Sequence, residues 1–177
     1  MKYKFTDETK EFCGKVLHRI VCVTAFASVA VGDTGGWLES EKNLSQYGDA
    51  WVSGDAKVYG NAKVYGNAWV YGDAEVYGNA WVSGNAKVYG NAEVSGNAWV
   101  SGNAWVSKSS DYAVYKNTWS SMRFFTWTRS NDKWRVGCFY GTGKELIEKA
   151  YKDSKLSGDC YKAVVEMRNK ITALESA

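Results

Sequence analysis

The sequence predicts a mainly β solenoid of parallel strands. Three observations predict it: an unbroken run of ten hexapeptides from residue 48 to 107, 18 Gly with no Pro, and the loss of that period on either side of the run. The run reads GDAWVS, GDAKVY, GNAKVY, GNAWVY, GDAEVY, GNAWVS, GNAKVY, GNAEVS, GNAWVS, GNAWVS. Gly followed by Asn or Asp tolerates the positive φ of a tight corner. The triplet after Ala alternates as a short strand must, so the invariant Val points inward while the variable residue and the Ser or Tyr point outward. Coils stacked about 4.8 Å apart then close their backbone hydrogen bonds on one another, which stabilises a chain that lacks a conventional core.

The flanks fill in the other elements. Residues 1–47 predict an N-terminal β cap, with a strand at Tyr3-Lys4-Phe5, partial alternation from Val16 to Phe26 and a turn-rich stretch from Gly32 to Trp37. A solenoid's open end exposes strand edges that need such a cover. Residues 48–121 predict the hexapeptide β-solenoid, in which Ser110 to Tyr115 and Lys116 to Ser121 are two decayed repeats after a slip of two residues. Residues 122–177 predict a small ββαα segment. Its hairpin pairs Arg123 to Thr128 with Trp134 to Phe139 around Ser130-Asn131-Asp132. Its first helix runs from Gly143 to Lys155, capped by Thr142, with Leu146, Ile147, Ala150 and Tyr151 on one face; its second starts near Asp159. There Cys160, Val164, Met167, Ile171 and Leu174 form a heptad seam, which suits either packing on the hairpin or a trimeric coiled coil.

The run resembles the hexapeptide-repeat family, whose three-sided coils form a left-handed parallel β-helix. The signature is an aliphatic residue followed four positions later by a small one, here Val52 and Ala56 through to Val100 and Ala104. The resemblance implies three hexapeptides per coil, and so a little over three coils. The stretch GDTGGWLESEKNLS ahead of GNAxV repeats is similar to a group of proteins of the phage/prophage type, which implies a viral origin.

Catalysis does not carry over from that family. Its acyltransferases use a histidine base at a subunit junction, and its carbonic-anhydrase branch holds a metal with three histidines, whereas this chain has a single histidine, His18, outside every repeat. No catalytic residue, metal site or cofactor is expected. Cys13, Cys22, Cys138 and Cys160 lie at spacings that match neither a zinc pattern nor a disulfide framework, so they read as reduced thiols. Gly141-Thr142-Gly143-Lys144 is not a phosphate loop, because Cys138 stands where the first Gly belongs and Glu145 where a Ser or Thr would hold magnesium; it reads as a turn and helix cap. Asp49, Asp55 and Asp73 share corner positions with Asn and are turn formers. The formal charge of +3 is scattered, which names neither a nucleic-acid nor a membrane partner. The N-terminus has no signal-peptide core and Val21 to Val31 is too short to span a bilayer, so the expected place is the cytoplasm of a host cell.

What remains is aromatic surface. At 18 residues per coil the outward residues sort into three columns: Trp51, Trp69, Lys87 and Trp105; Lys57, Glu75 and Glu93; Lys63, Trp81 and Trp99. Tyr71 and Tyr89 join the first. The candidate interface residues are therefore Trp51, Trp69, Trp105, Tyr71 and Tyr89 on one face and Trp81 and Trp99 on another, with the Lys57 column toward solvent. Two such patches exceed what a monomer leaves exposed, and a ring uses two different patches heterologously, so a cyclic homotrimer is expected. The function expected is a non-catalytic binding protein that sequesters a small signalling molecule or masks a host defence protein. The alternatives are a structural virion component or carbohydrate-binding module, since Trp ladders stack on sugars, and a divergent acyltransferase with a non-histidine base.

Overall fold

A computed structural model describes all 177 residues. They form two compact units, Met1–Ala113 with Thr128–Asn131, and Val114–Trp127 with Asp132–Ala177. The first unit opens with an antiparallel hairpin of β1 (Tyr3–Phe12) and β2 (Lys15–Cys22). Its two-residue turn is Cys13-Gly14, with φ of 49° and 71°, the paired positive φ whose twist suits a hairpin. β3 (Thr34–Leu38) runs antiparallel to β2 and then parallel to the first solenoid strand of its face.

The ten hexapeptides give ten two-residue strands: β4 (Trp51–Val52), β5 (Lys57–Val58), β6 (Lys63–Val64), β7 (Trp69–Val70), β8 (Glu75–Val76), β9 (Trp81–Val82), β10 (Lys87–Val88), β11 (Glu93–Val94), β12 (Trp99–Val100) and β13 (Trp105–Val106). They stack as three parallel sides, β4-β7-β10-β13, β5-β8-β11 continuing the sheet of β1 to β3, and β6-β9-β12. Trp51 pairs with Trp69, Lys57 with Glu75 and Lys63 with Trp81, the register of 18 residues per coil. Every repeat Val and Ala is buried, so the interior is a stack of small side chains. The corner glycines have φ between +63° and +74°, and a Cβ on Gly72 would stand 3.1 Å from the Gly90 nitrogen, tighter than an ordinary contact.

The stack has a polarity that determines its ends. Each coil's N–H groups donate to the next coil's carbonyls, as Trp51 does to Ala68 at 3.0 Å and Asp55 to Gly72 at 2.9 Å. Carbonyls are thus left over at the first end and N–H groups at the last, and buried backbone groups must be paired. At the first end the Lys2 ammonium donates to the carbonyls of Gly48 and Ala50 (3.2 and 2.6 Å) and the Asn43 amide to those of Gly60 and Ala62 (3.1 and 2.9 Å). Arg19 reaches the Gly54 carbonyl at 3.0 Å. At the last end the N–H groups of Trp105, Ser107 and Ser95 donate to Ser130 Oγ, Asp111 Oδ2 and Tyr112 Oη.

Two boundaries lie elsewhere than the repeat suggests. Parallel pairing begins before residue 48: Trp37 pairs with Lys57, Leu38 with Val58 and Leu44 with Val64, a first coil two residues longer than the rest. The two decayed repeats add no strand to the solenoid; β14 (Tyr112–Lys116) joins a separate sheet. Ser110 and Lys116 stand in those repeats where the corner glycine belongs, and neither takes up positive φ at low cost.

In the second unit the expected hairpin is the middle of a four-stranded sheet, β14, β15 (Phe124–Thr128), β16 (Lys133–Val136) and β17 (Phe139–Gly141) in that order. Phe125, Trp134 and Tyr161 form its core, with the Tyr115 ring 5.7 Å from that of Trp134. α1 (Gly143–Asp153) starts on a Thr142 capping box, in which Glu145 accepts the Thr142 N–H at 2.7 Å. Ser154 ends α1 and caps α2 (Lys155–Glu175), so the second helix starts four residues earlier than Asp159. α2 turns Tyr161, Val165 and Arg168 inward, one residue off the expected seam; Cys160, Val164 and Ile171 are half-buried while Met167 and Leu174 are exposed. The shift follows from Arg168, whose guanidinium lies 4.6 Å over the Trp127 ring and 2.6 Å from Glu175.

Candidate binding faces

Trp69, Trp105, Tyr71 and Tyr89 lie on the β4-β7-β10-β13 side as expected, and Trp81 and Trp99 on the β6-β9-β12 side. Trp51 does not share their exposure. Only 2% of it is accessible, under Tyr3 and Phe26, whose rings stand 6.5 and 5.5 Å away. Gly35 makes that burial possible, since a Cβ there would stand 2.8 Å from the Trp51 ring. The N-terminal segment thus removes Trp51 from the ladder, and the first face keeps two tryptophans.

On that face Trp69 is half-buried and Trp105 is 53% exposed, with the Lys87 ammonium 5.5 Å over the Trp105 ring. Tyr71 and Tyr89 stack at 5.2 Å, and burial, then Tyr89, hold the Tyr71 phenol above its ordinary pKa. A groove of about 520 Å³ runs between Trp69, Tyr71, Lys87 and the corner amides Asn67 and Asn85. On the other face Trp81 is 36% exposed and meets Trp99 edge-on at 5.0 Å, while the Trp99 indole donates to Ser83 Oγ at 3.0 Å. Lys63 lies 5.6 Å over Trp81, and a groove of about 310 Å³ follows Asn79, Trp81, Asn97 and Trp99.

The corner Asn residues form ladders that border these grooves. Asn61 donates to Asn79 at 3.1 Å and Asn79 to Asn97 at 3.4 Å; Asn67 donates to Asn85 and Asn85 to Asn103, both at 3.2 Å. Stacking at 18 residues places the same amide on every coil, a signal present in the second letter of the repeat. A wider cavity of about 750 Å³ borders Asn79, Trp81 and Lys63 and includes Glu39, which is engaged by Lys15 at 2.6 Å and by the Gly60 N–H at 2.6 Å; these bonds hold its carboxyl below the usual range despite burial.

The third side is closed at its start. The Lys57 ammonium lies 4.7 Å over the Phe12 ring and 3.3 Å from Glu75, and Tyr59 packs with Leu17 and Trp37. Of the expected solvent column only Glu93 is fully outward; Lys57 and Glu75 are half-buried because the N-terminal hairpin extends this sheet. His18 is on β2, half-buried, stacked on Phe5 at 4.8 Å.

The two open faces therefore offer flat rings, amides and two lysines, groups that hold a surface by stacking and hydrogen bonding. The family described as YdcK beta-solenoid repeat matches residues 56–72 and 86–102, both inside the hexapeptide run. No curated protein matches the chain. Sequence pattern and strand pairing agree with that match, and the chain is a β-solenoid repeat protein. No helix is long and apolar enough to cross a membrane.

Proposed function

We propose that the chain is a non-catalytic binding protein of the phage/prophage type that acts by occlusion as a cyclic homotrimer. The observation that carries this reading is the pair of half-exposed aromatic faces on different sides of one solenoid, Trp69 with Trp105 and Trp81 with Trp99. Two unlike patches favour a heterologous ring, in which each copy sets one face against the other face of its neighbour. Left-handed winding, as the hexapeptide resemblance implies, belongs to the same reading. Such a ring, in the host cytoplasm, covers a defence protein or encloses a small signalling molecule without transforming it. The test is recovery of the protein from its natural host followed by mass analysis of what accompanies it. A ligand or partner held by wild type and lost from Trp81→Glu is expected; recovery in virions with nothing bound, or turnover with an acyl donor, contradicts the proposal.

A second reading has its own support. The amides of Asn79 and Asn97 flank Trp81 and Trp99 along the solenoid axis, and stacking rings bordered by amide donors and acceptors suit a sugar. Glycan-array binding abolished by Trp99→Ala favours this carbohydrate module over the occluding ring.

A further inference from the structure

The second unit contains a pocket of about 180 Å³ that the aromatic faces do not explain. One wall is the turn after β14, and it is firmly built. Asn117 is 1% exposed; its N–H donates to the Arg123 carbonyl at 2.8 Å, its Oδ1 accepts the N–H groups of Trp119 and Ser120, and its Nδ2 donates to Tyr161 Oη at 3.0 Å. These bonds close residues 117–123 into a loop that presents Ser121 and Arg123 to the pocket. The facing helices contribute Lys149 from α1 and the buried Ser157 from the first turn of α2.

Ser121, Arg123 and Lys149 are exposed side chains at the mouth of the pocket, and the Arg123 guanidinium acts electrostatically on the Tyr161 phenol beside it. The lining is rich in donors, two of them cationic. The remaining wall is apolar, with Phe139 and Leu146. One carboxylate, Asp153, also lines the pocket, so the charged groups leave a net +1. The volume is below the roughly 300 to 1,000 Å³ of pockets for drug-sized ligands, which leaves room for a head group and a small ring.

We propose that this pocket binds a small organic anion, a carboxylate or phosphomonoester on a compact apolar body. Arg123 supplies a planar fork to the anionic head, Lys149 a point charge, Ser121 and Ser157 further donors, and the Phe139 and Leu146 wall takes the apolar part.

The test is calorimetric titration of the full chain with benzoate, phenyl phosphate and inorganic phosphate. One site per chain is expected for the aromatic anions, with inorganic phosphate weaker, and the tighter of the two aromatic ligands identifies the head group. Arg123→Gln and Lys149→Gln each weaken binding about tenfold, the loss of one charged hydrogen bond, whereas Trp81→Glu leaves it unchanged. Circular dichroism checks the fold of each variant, and Arg123→Lys, which keeps charge but loses the fork, serves if Arg123→Gln unfolds. Absence of binding at millimolar ligand, or binding that both charge-removing variants leave intact, overturns the proposal.

Discussion

The solenoid and the C-terminal unit reach stability by opposite means. In the solenoid each coil repeats the same small interior of Val and Ala, and the outward residue at each step varies freely among Trp, Lys and Glu. Its specificity lies in the backbone ladder and the corner glycines. In the C-terminal unit the core is a few large rings, Phe125, Trp127, Trp134 and Tyr161, oriented by single bonds such as Asn117 to Tyr161. A repeated interior leaves its outer surface free to change, whereas a core of unique rings ties each residue to its neighbours. That is why the variable aromatic faces belong to the solenoid and the pocket with its unique lining to the other unit.

Damage to each interior in turn should separate the two units most clearly. Val76→Asp places an unpaired charge at a position with no accessible surface and is expected to cost more than about 4 kcal/mol, while Trp134→Ala costs about 3 to 5 kcal/mol. Denaturant titration should show Val76→Asp melting the solenoid signal ahead of the helical signal, and Trp134→Ala the reverse. One joint transition in both variants contradicts two separately stabilised units.

Asn117→Ala is next, with about 1 to 3 kcal/mol lost as the buried amide bonds disappear. Hydrogen exchange should register the loss in residues 114–127 and 132–177 and leave the solenoid amides protected; a loss spread evenly over the chain speaks against it. Gly72→Ala is expected to cost about 1 to 2 kcal/mol, through positive φ and through its close approach to Gly90. Gly96→Ala has the same φ problem without a neighbour within 4 Å and should cost less. Equal midpoints for the two variants would show that corner stacking contributes nothing.

A separate effect, read against pH instead of denaturant, is a pH dependence at the capped end. Burial holds the Lys2 ammonium down to about 8 from 10.5, against the opposing pull of Asp49. Between those values the unfolded chain holds the proton and the folded chain releases it, so stability rises with pH through this window. Wild type measured against Lys2→Met should show that rise between pH 8 and 10.5. A flat or falling difference contradicts the buried ammonium.

How much was legible follows from the same contrast. The interior, the three columns and the 18-residue register could be read because Gly, Ala and Val recur at one period, and Thr142 with Glu145 announced its helix by local chemistry alone. The ends could not be read. Lys2, Asn43 and Arg19 act on carbonyls 17 to 48 residues away, and nothing in their local sequence marks a cap. Burial of Trp51 depends on Gly35 lying across it, so the ladder looked one tryptophan longer than it is. In α2 the apolar spacing pointed to Met167 and Leu174, but a long amphipathic side chain, Arg168, took the inward place on Trp127. The pocket of the second unit escaped notice because its donors come from a turn and two helices that only the fold brings together.

Sedimentation of the native protein tests the central claim that the two aromatic faces are binding surfaces for one another. At micromolar concentration wild type should run as a single species of three chains, and Trp69→Glu with Trp81→Glu should release folded monomers of 19.7 kDa. A wild-type protein that sediments as a monomer, with both tryptophan faces open to solvent, contradicts the account.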